Sequence, residues 1–199
     1  VSPNVLSLTG LAGGLGTGLA LALTAVSGFE RAGFLCAVAG IIVRTAGNIL
    51  DGTVAVESGR LSPVGELFNE VPDRLSDAAI FIGAGCAAGS HPLLGMSAAL
   101  MALFIAYLRV EGKVAGAPQE YCGPMAKAQR MVIILVIALY NGLAPRPAQP
   151  VVQWHGQGWG LMAAGLIVII AGGVWTAVRR LIRIARALEQ VNRTNSRCL

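Results

Sequence analysis

An all-α membrane fold, with six transmembrane helices around a polar site at the cytoplasmic face, is what this sequence predicts, on three observations. Of its 199 residues, 55% are hydrophobic and only 13% are charged, where a soluble domain carries roughly a quarter. The mean hydropathy is +0.67. The apolar residues gather into six runs, about 5–27, 32–56, 67–89, 92–112, 127–145 and 157–178, each near the roughly 20 residues a helix needs to cross a bilayer. No repeat or low-complexity linker divides them. Residues 1–199 therefore read as one domain, with a basic tail over 179–199. Val1 is followed by no basic stretch and cleavage site, so no signal peptide is expected.

The first span opens with Ser2-Pro3-Asn4, a hydroxyl cap followed by proline at the first helical position. Gly10, Ala12, Gly13, Gly14, Gly16 and Gly18 make it a small-residue helix suited to close central packing. The second span carries Arg44, Asn48, Asp51 and Ala55 at i, i+4, i+7 and i+11, one helical face. The third carries Asn69, Asp73 and Asp77 at four-residue steps, with Glu66 and Glu70 one position off that line. Pro72 is expected to bend this helix. A short turn from Ser58 to Pro63 lets the two polar faces point at each other. Ionisable groups at membrane depth are expensive and mark function by default.

Arg109 ends the fourth span, and Lys127 and Arg130 open the fifth, so three cations converge on one rim. They suit a phosphate; the ordinary excess of basic residues on the cytoplasmic side explains them equally well. Past the sixth span Arg179, Arg183 and Arg186 follow an i, i+4, i+7 line, predicting a helix that anchors at lipid headgroups. Trp154, Trp159 and Trp175 fit an aromatic belt, and His91 and His155 read as interface residues. Basic residues concentrate on the side of the termini, leaving Arg31 and Arg146 opposite, so the termini and polar site are expected in the cytoplasm. The net charge of +5 suits anionic membrane lipid and not nucleic acid. Cys36, Cys86, Cys122 and Cys198 show no paired spacing and are expected as reduced thiols.

The run Asn48-x-x-Asp51-Gly52-x-x-Ala55-x9-Gly65-x3-Asn69-x3-Asp73 resembles the signature of the CDP-alcohol phosphatidyltransferase family, D-x-x-D-G-x-x-A-R-x8-G-x3-D-x3-D. The spacing agrees at every step. Asn48 and Asn69 stand where the family has Asp, and Val56 stands where it has Arg.

The resemblance implies metal-dependent transfer of a phosphatidyl group from a CDP-linked donor, CDP-diacylglycerol by family preference, to a small alcohol, with release of CMP. It implies Mg²⁺ or Mn²⁺ on Asp51 and Asp73, with carbonyl oxygens from Asn48 and Asn69. Asp73 takes the position of the general base. Gly52, Ala55 and Gly65, with Asn4, Asn48 and Asp51, would receive the nucleotide, and Arg109, Lys127 and Arg130 the acceptor. A homodimer in the cell (inner) membrane is implied as well. Glu66, Glu70 and Asp77 are candidates to compensate for the two missing carboxylates, although acids also suit a helix start. Arg44 or Arg60 is expected to replace the missing arginine charge. Two other classes remain: a catalytically silent nucleotide- or lipid-binding protein of this fold, and a small transporter, which would place polar residues near mid-membrane.

Overall fold

The computed structural model describes residues 3–26, 28–57, 63–154 and 156–195, with side chains described outside 3–7, 48–69, 154 and 191–195. The described residues form α1 (Pro3–Leu23), α2 (Glu30–Glu57), α3 (Pro63–Gly85), α4 (Pro92–Val114), α5 (Lys127–Leu143) and α6 (Leu161–Asn195). Between α5 and α6 lie a 3-10 turn at Arg146–Ala148 and an antiparallel hairpin of β1 (Val152–Trp154) and β2 (Gln157–Trp159). α1 packs between α2 and α3, α3 on α4, α4 on α6, α6 on α5, and α5 back on α2. The helices therefore close a ring, and its interior is where a site can form.

Small residues bring the helices together, as expected for α1. A Cβ on Gly83 of α3 would lie 2.6 Å from the Cα of Gly18 in α1, and one on Gly85 would lie 2.7 Å from the Cα of Gly95 in α4. No larger residue fits at these crossings. In membranes, where lipid removes the hydrophobic drive between helices, such contact is a main source of association. Buried Leu21, Phe34, Ile41, Phe81, Ile134, Leu166 and Ile169 fill part of the interior.

Among the described residues six helices appear where six apolar runs predict them, with one departure. Residues 157–159 are strand, not the start of the last helix. Gly156, at φ 75°, takes the left-handed conformation a tight hairpin demands and glycine supplies freely. The last helix then runs unbroken to Asn195, past the apolar run's end at 178, as the line of Arg179, Arg183 and Arg186 predicts. Pro72 sits inside α3 without ending it. Among the described residues, α4 and the Leu161–Gln190 part of α6 are long and apolar enough to cross a membrane.

The hairpin is tied to the α3–α4 connection. The Gly160 N–H donates to Gly89 O at 2.8 Å. His91 caps α4, its Nδ1 accepting from the Leu93 N–H at 3.3 Å, and its ring stacks on Trp159 with centroids 5.9 Å apart. The interface histidine is thus also a helix cap.

Candidate functional site

At the opposite end of the ring the interior is charged. Arg44 reaches from α2 across to α3, where its Nη2 donates to Asp77 Oδ1 at 2.6 Å, Asp73 Oδ1 at 3.1 Å and the Asp73 carbonyl at 3.2 Å. The other carboxylate oxygen of Asp73, Oδ2, accepts from Lys127 at the start of α5. One aspartate therefore joins three helices of the ring. Arg44 and Asp77 are only 3% and 2% exposed, whereas the Asp73 and Lys127 side chains are 19% and 31% exposed. Asp77 anchors the guanidinium in the interior, and Asp73 presents the same cluster to the open side.

The four-residue steps of α3 explain this arrangement, because Asp73 and Asp77 share a face one turn apart. Of the two arginines expected to supply the missing charge, Arg44 is the one the structure places here; Arg60 lies outside the described residues. Asp77 is thereby the buried partner of an arginine.

Glu70 lies on a neighbouring line of α3 and is held by two cations: Arg109 of α4, at 2.8 Å from Oε1, and Arg74, one turn along α3. Arg109 also lies over the Tyr121 ring, 5.5 Å from its centroid. Arg130, on α5, is 3% exposed and sits 5.9 Å from the Phe81 ring centroid. Its Nε and Nη1 are buried without a hydrogen-bond partner among the described residues, as is Arg109 Nε. Buried donors left unmatched are costly, and an anionic ligand is one way to satisfy them. Lys127 and Arg109 meet carboxylates of α3, and Arg130 lies against Phe81 of the same helix.

Two features of the site escaped the sequence reading. Arg180 of α6 donates to Cys122 O at 3.0 Å, Ile105 O at 3.1 Å and Tyr121 O at 3.3 Å. Thr176, one turn earlier, accepts from the Met125 N–H at 3.1 Å. Together they clamp the α4–α5 connection onto α6 just before Lys127. The available signal was the buried line Gly173, Thr176, Ala177, Arg180 and Ile184, a helical stripe distinct from that of Arg179.

Between α2 and α5 a groove of about 590 Å³ has Arg44, Thr45 and Lys127 among its walls, and Ile41, Ile42, Met131, Val132 and Leu135 supply its apolar surface. It joins the cationic cluster to a surface suited to hydrocarbon.

Asn48, Asp51, Gly52, Ala55 and Glu57 belong to α2, Gly65, Glu66 and Asn69 to α3, and Asn4 to α1; their side chains, and that of Val56, lie outside the described ones. Among the described residues no three His, Cys, Asp or Glu side chains converge as a metal-ligand group. Asp73 is the described member of the expected set. Its two hard oxygens suit Mg²⁺ or Mn²⁺, but each is paired with a cation, Oδ1 with Arg44 and Oδ2 with Lys127. A metal ion ligated there would have to displace Arg44 or Lys127 from Asp73.

The sequence model of the CDP-alcohol phosphatidyltransferase family matches residues 1–171. An archaetidylinositol phosphate synthase of Aeropyrum pernix is 33% identical over 54% of this chain, a match spanning 58% of that relative, or under two thirds of its length. Its namesake from Methanothermobacter thermautotrophicus is 27% identical over 87% of this chain and 82% of its own. The fold is similar to that of a Mycobacterium tuberculosis phosphatidylinositol phosphate synthase at 19% identity. Its structure with CDP-DAG bound gives a TM-score of 0.68, covering 92% of this chain and 86% of that one. Its complex with manganese and citrate gives 0.71, covering 92% and 82%.

Proposed function

The chain belongs to the CDP-alcohol phosphatidyltransferase family, and from that premise we propose that it transfers a phosphatidyl group from CDP-diacylglycerol to inositol phosphate. The acceptor hydroxyl oxygen bonds to the β-phosphorus, the bond from that phosphorus to the bridging oxygen breaks, and CMP leaves. The acceptor's proton passes to Asp73. Such transfers depend mainly on positioning and on neutralising charge as it develops.

The observation that carries this reading is Asp73 held between Arg44 and Lys127 beside the α2–α5 groove. A lipid with a diphosphate head needs cations at one end and an apolar channel at the other. Lys127 and Arg44 orient the diphosphate, and Ile41, Met131 and Leu135 receive an acyl chain. Arg130 and Arg109 bind the acceptor's phosphate through nitrogens that have no other partner among the described residues. Asp73, Asp51, Asn48 and Asn69 would hold Mg²⁺ or Mn²⁺, which when bound would supply positive charge against the diphosphate and the departing CMP oxygen. The manganese complex and CDP-DAG complex of the similar fold support a divalent metal and a CDP-lipid donor, and the names of the sequence relatives support an inositol phosphate acceptor. Six spans, a cytoplasmic site in the cell membrane and a homodimer complete the proposal.

Release of CMP from CDP-diacylglycerol tests it, with inositol phosphate or glycerol phosphate as acceptor and with Mn²⁺ present or chelated. Metal-dependent release is expected with inositol phosphate and not with glycerol phosphate. Donor binding without CMP release for any acceptor would identify a silent binding protein instead.

A further inference from the structure

The ring's outer surface carries a second cationic feature, separated by helix α6 from the clamp made by Arg180. Trp175, Val178, Arg179, Ile182, Arg183 and Arg186 line a groove of about 360 Å³ along α6. Their positions, i, i+3, i+4, i+7, i+8 and i+11, form one stripe of the helix. Trp175, Val178 and Ile182 are 65%, 49% and 46% exposed, so about half or more of this apolar surface is left uncovered by the described residues. Arg179 and Arg186 make no hydrogen bond or ion pair among the described residues, and Arg183 meets Glu120 only at 3.6 Å.

We propose that this stripe is a binding site for an anionic phospholipid, distinct from the donor groove between α2 and α5. The inference rests on the membrane-embedded reading above and adds a lipid that is not a substrate. Arg179 and Arg183 are one turn apart, about 6 Å of helix rise, so both guanidiniums can meet one phosphate. Arg186 supplies a third positive charge for an anionic headgroup. The nearby acids are Glu120, shared with Arg183, and Glu189, one turn beyond Arg186. They leave an excess of positive charge. A free phosphate would satisfy the arginines and leave Trp175, Val178 and Ile182 unused. A phospholipid uses both, with its headgroup on the arginines and its chain against the apolar residues.

The location gives the lipid a route to the reaction. Arg183 faces Glu120 in the α4–α5 connection, and neighbouring Arg180 holds Tyr121 and Cys122 of that same connection. A phosphate on Arg179 and Arg183 competes with Glu120 for the Arg183 guanidinium. The connection leads directly to Lys127, so anionic lipid would alter how firmly that lysine is placed.

Tryptophan fluorescence of the full chain in phosphatidylcholine vesicles reads this directly, taking the Trp175→Phe difference to isolate one indole. Brominated phosphatidylglycerol is expected to quench Trp175 with about tenfold higher apparent affinity than brominated phosphatidylcholine, about 1.4 kcal/mol. Three arginines at about 1 kcal/mol each near an anionic surface are partly offset by Glu120 and Glu189. An Arg179→Gln, Arg183→Gln, Arg186→Gln triple variant with unchanged helical circular dichroism should lose that preference while still being quenched. Equal quenching by the two lipids overturns the proposal but leaves the membrane reading intact. Quenching by neither overturns the membrane reading itself. Reversal of the preference by millimolar inorganic phosphate would assign the stripe to a free anion and overturn the lipid.

Discussion

The hairpin end and the charged end of the ring both pair an arginine with an acid, in opposite surroundings. At the hairpin end Arg146 meets Glu30 at 2.8 Å with the two side chains 71% and 35% exposed. At the charged end Arg44 meets Asp77 at 2.6 Å with the two side chains 2% and 3% exposed. Distance hardly distinguishes them; solvent does. An exposed pair is screened and contributes typically about 0–1 kcal/mol. A buried pair must first overcome several kcal/mol of desolvation per ion, so apolar residues would often be at least as stable in its place. We therefore read the buried cluster as retained for chemistry, and the hairpin pair as a tether between the α5–α6 connection and the start of α2.

The strongest test of that contrast is Asp73→Asn. It keeps the shape of the side chain and removes the negative charge shared by Arg44 and Lys127. Loss of a general base alone costs about 10²–10⁴-fold in rate, so CMP release should fall at least about 10³-fold while thermal unfolding shows a retained fold. Activity within tenfold of the parent would deny Asp73 its role. Arg44→Met comes next, and its first readout is stability. It strands Asp77 in the interior, which should cost about 3–5 kcal/mol, measured by denaturant unfolding in detergent. Replacing Asp77 by Leu in the same chain removes the stranded charge, so the double variant should be more stable than Arg44→Met alone. If the double variant is worse, the pair is a structural necessity and the contrast between the ends weakens.

The four-residue steps along α3 and the matching face of α2 made the charged end legible from the sequence, because helical periodicity sets which residues share a face. Arg44 was visible as a candidate, but its choice of Asp73 and Asp77 was not. A long side chain crossing between helices depends on how those helices pack, which local spacing does not encode. Arg180 was obscured for a related reason. It sits among other arginines of the tail, and only its place on the buried stripe with Thr176 separates it from Arg179 and Arg183. The hairpin was hidden by composition: residues 157–160 adjoin an apolar run, and the turn depends on the positive φ of Gly156. Asn48, Asp51 and Asn69, three anchor positions of the family spacing, lie where side chains are not described, so their roles rest on spacing.

Arg130 sharpens the comparison at a smaller scale, since it is buried at the charged end and has two nitrogens without partners. Arg130→Gln should raise KM for inositol phosphate by about 10–100-fold, the 1.5–3 kcal/mol typical of a hydrogen bond to a charged group. The KM for CDP-diacylglycerol should change little. A rise in donor KM alone would move Arg130 from the acceptor to the diphosphate, and no change in either would leave it a structural cation under Phe81.

The smallest effect belongs to Arg146→Gln at the hairpin end. The variant removes a guanidinium that is mostly in solvent, leaving Glu30 free to hydrate. The hairpin keeps its other attachments: Gly160 still donates to Gly89, Trp159 still stacks on His91, and Gln149 Nε2 still donates to Asn141 O at 3.0 Å. Unfolding free energy should therefore drop by less than about 1 kcal/mol, and CMP release should match the parent at saturating substrate. Raising the ionic strength to about 1 M should shrink even that difference, because the screening length then falls to about 3 Å, comparable with the separation of this exposed pair. A salt-insensitive loss of 3 kcal/mol would mean that the pair is shielded from water in the membrane-bound protein. The two ends would then differ in kind of chemistry but not in burial, and the physical ground for separating tether from site would have to be the unpaired donors of Arg130 and Arg109 alone.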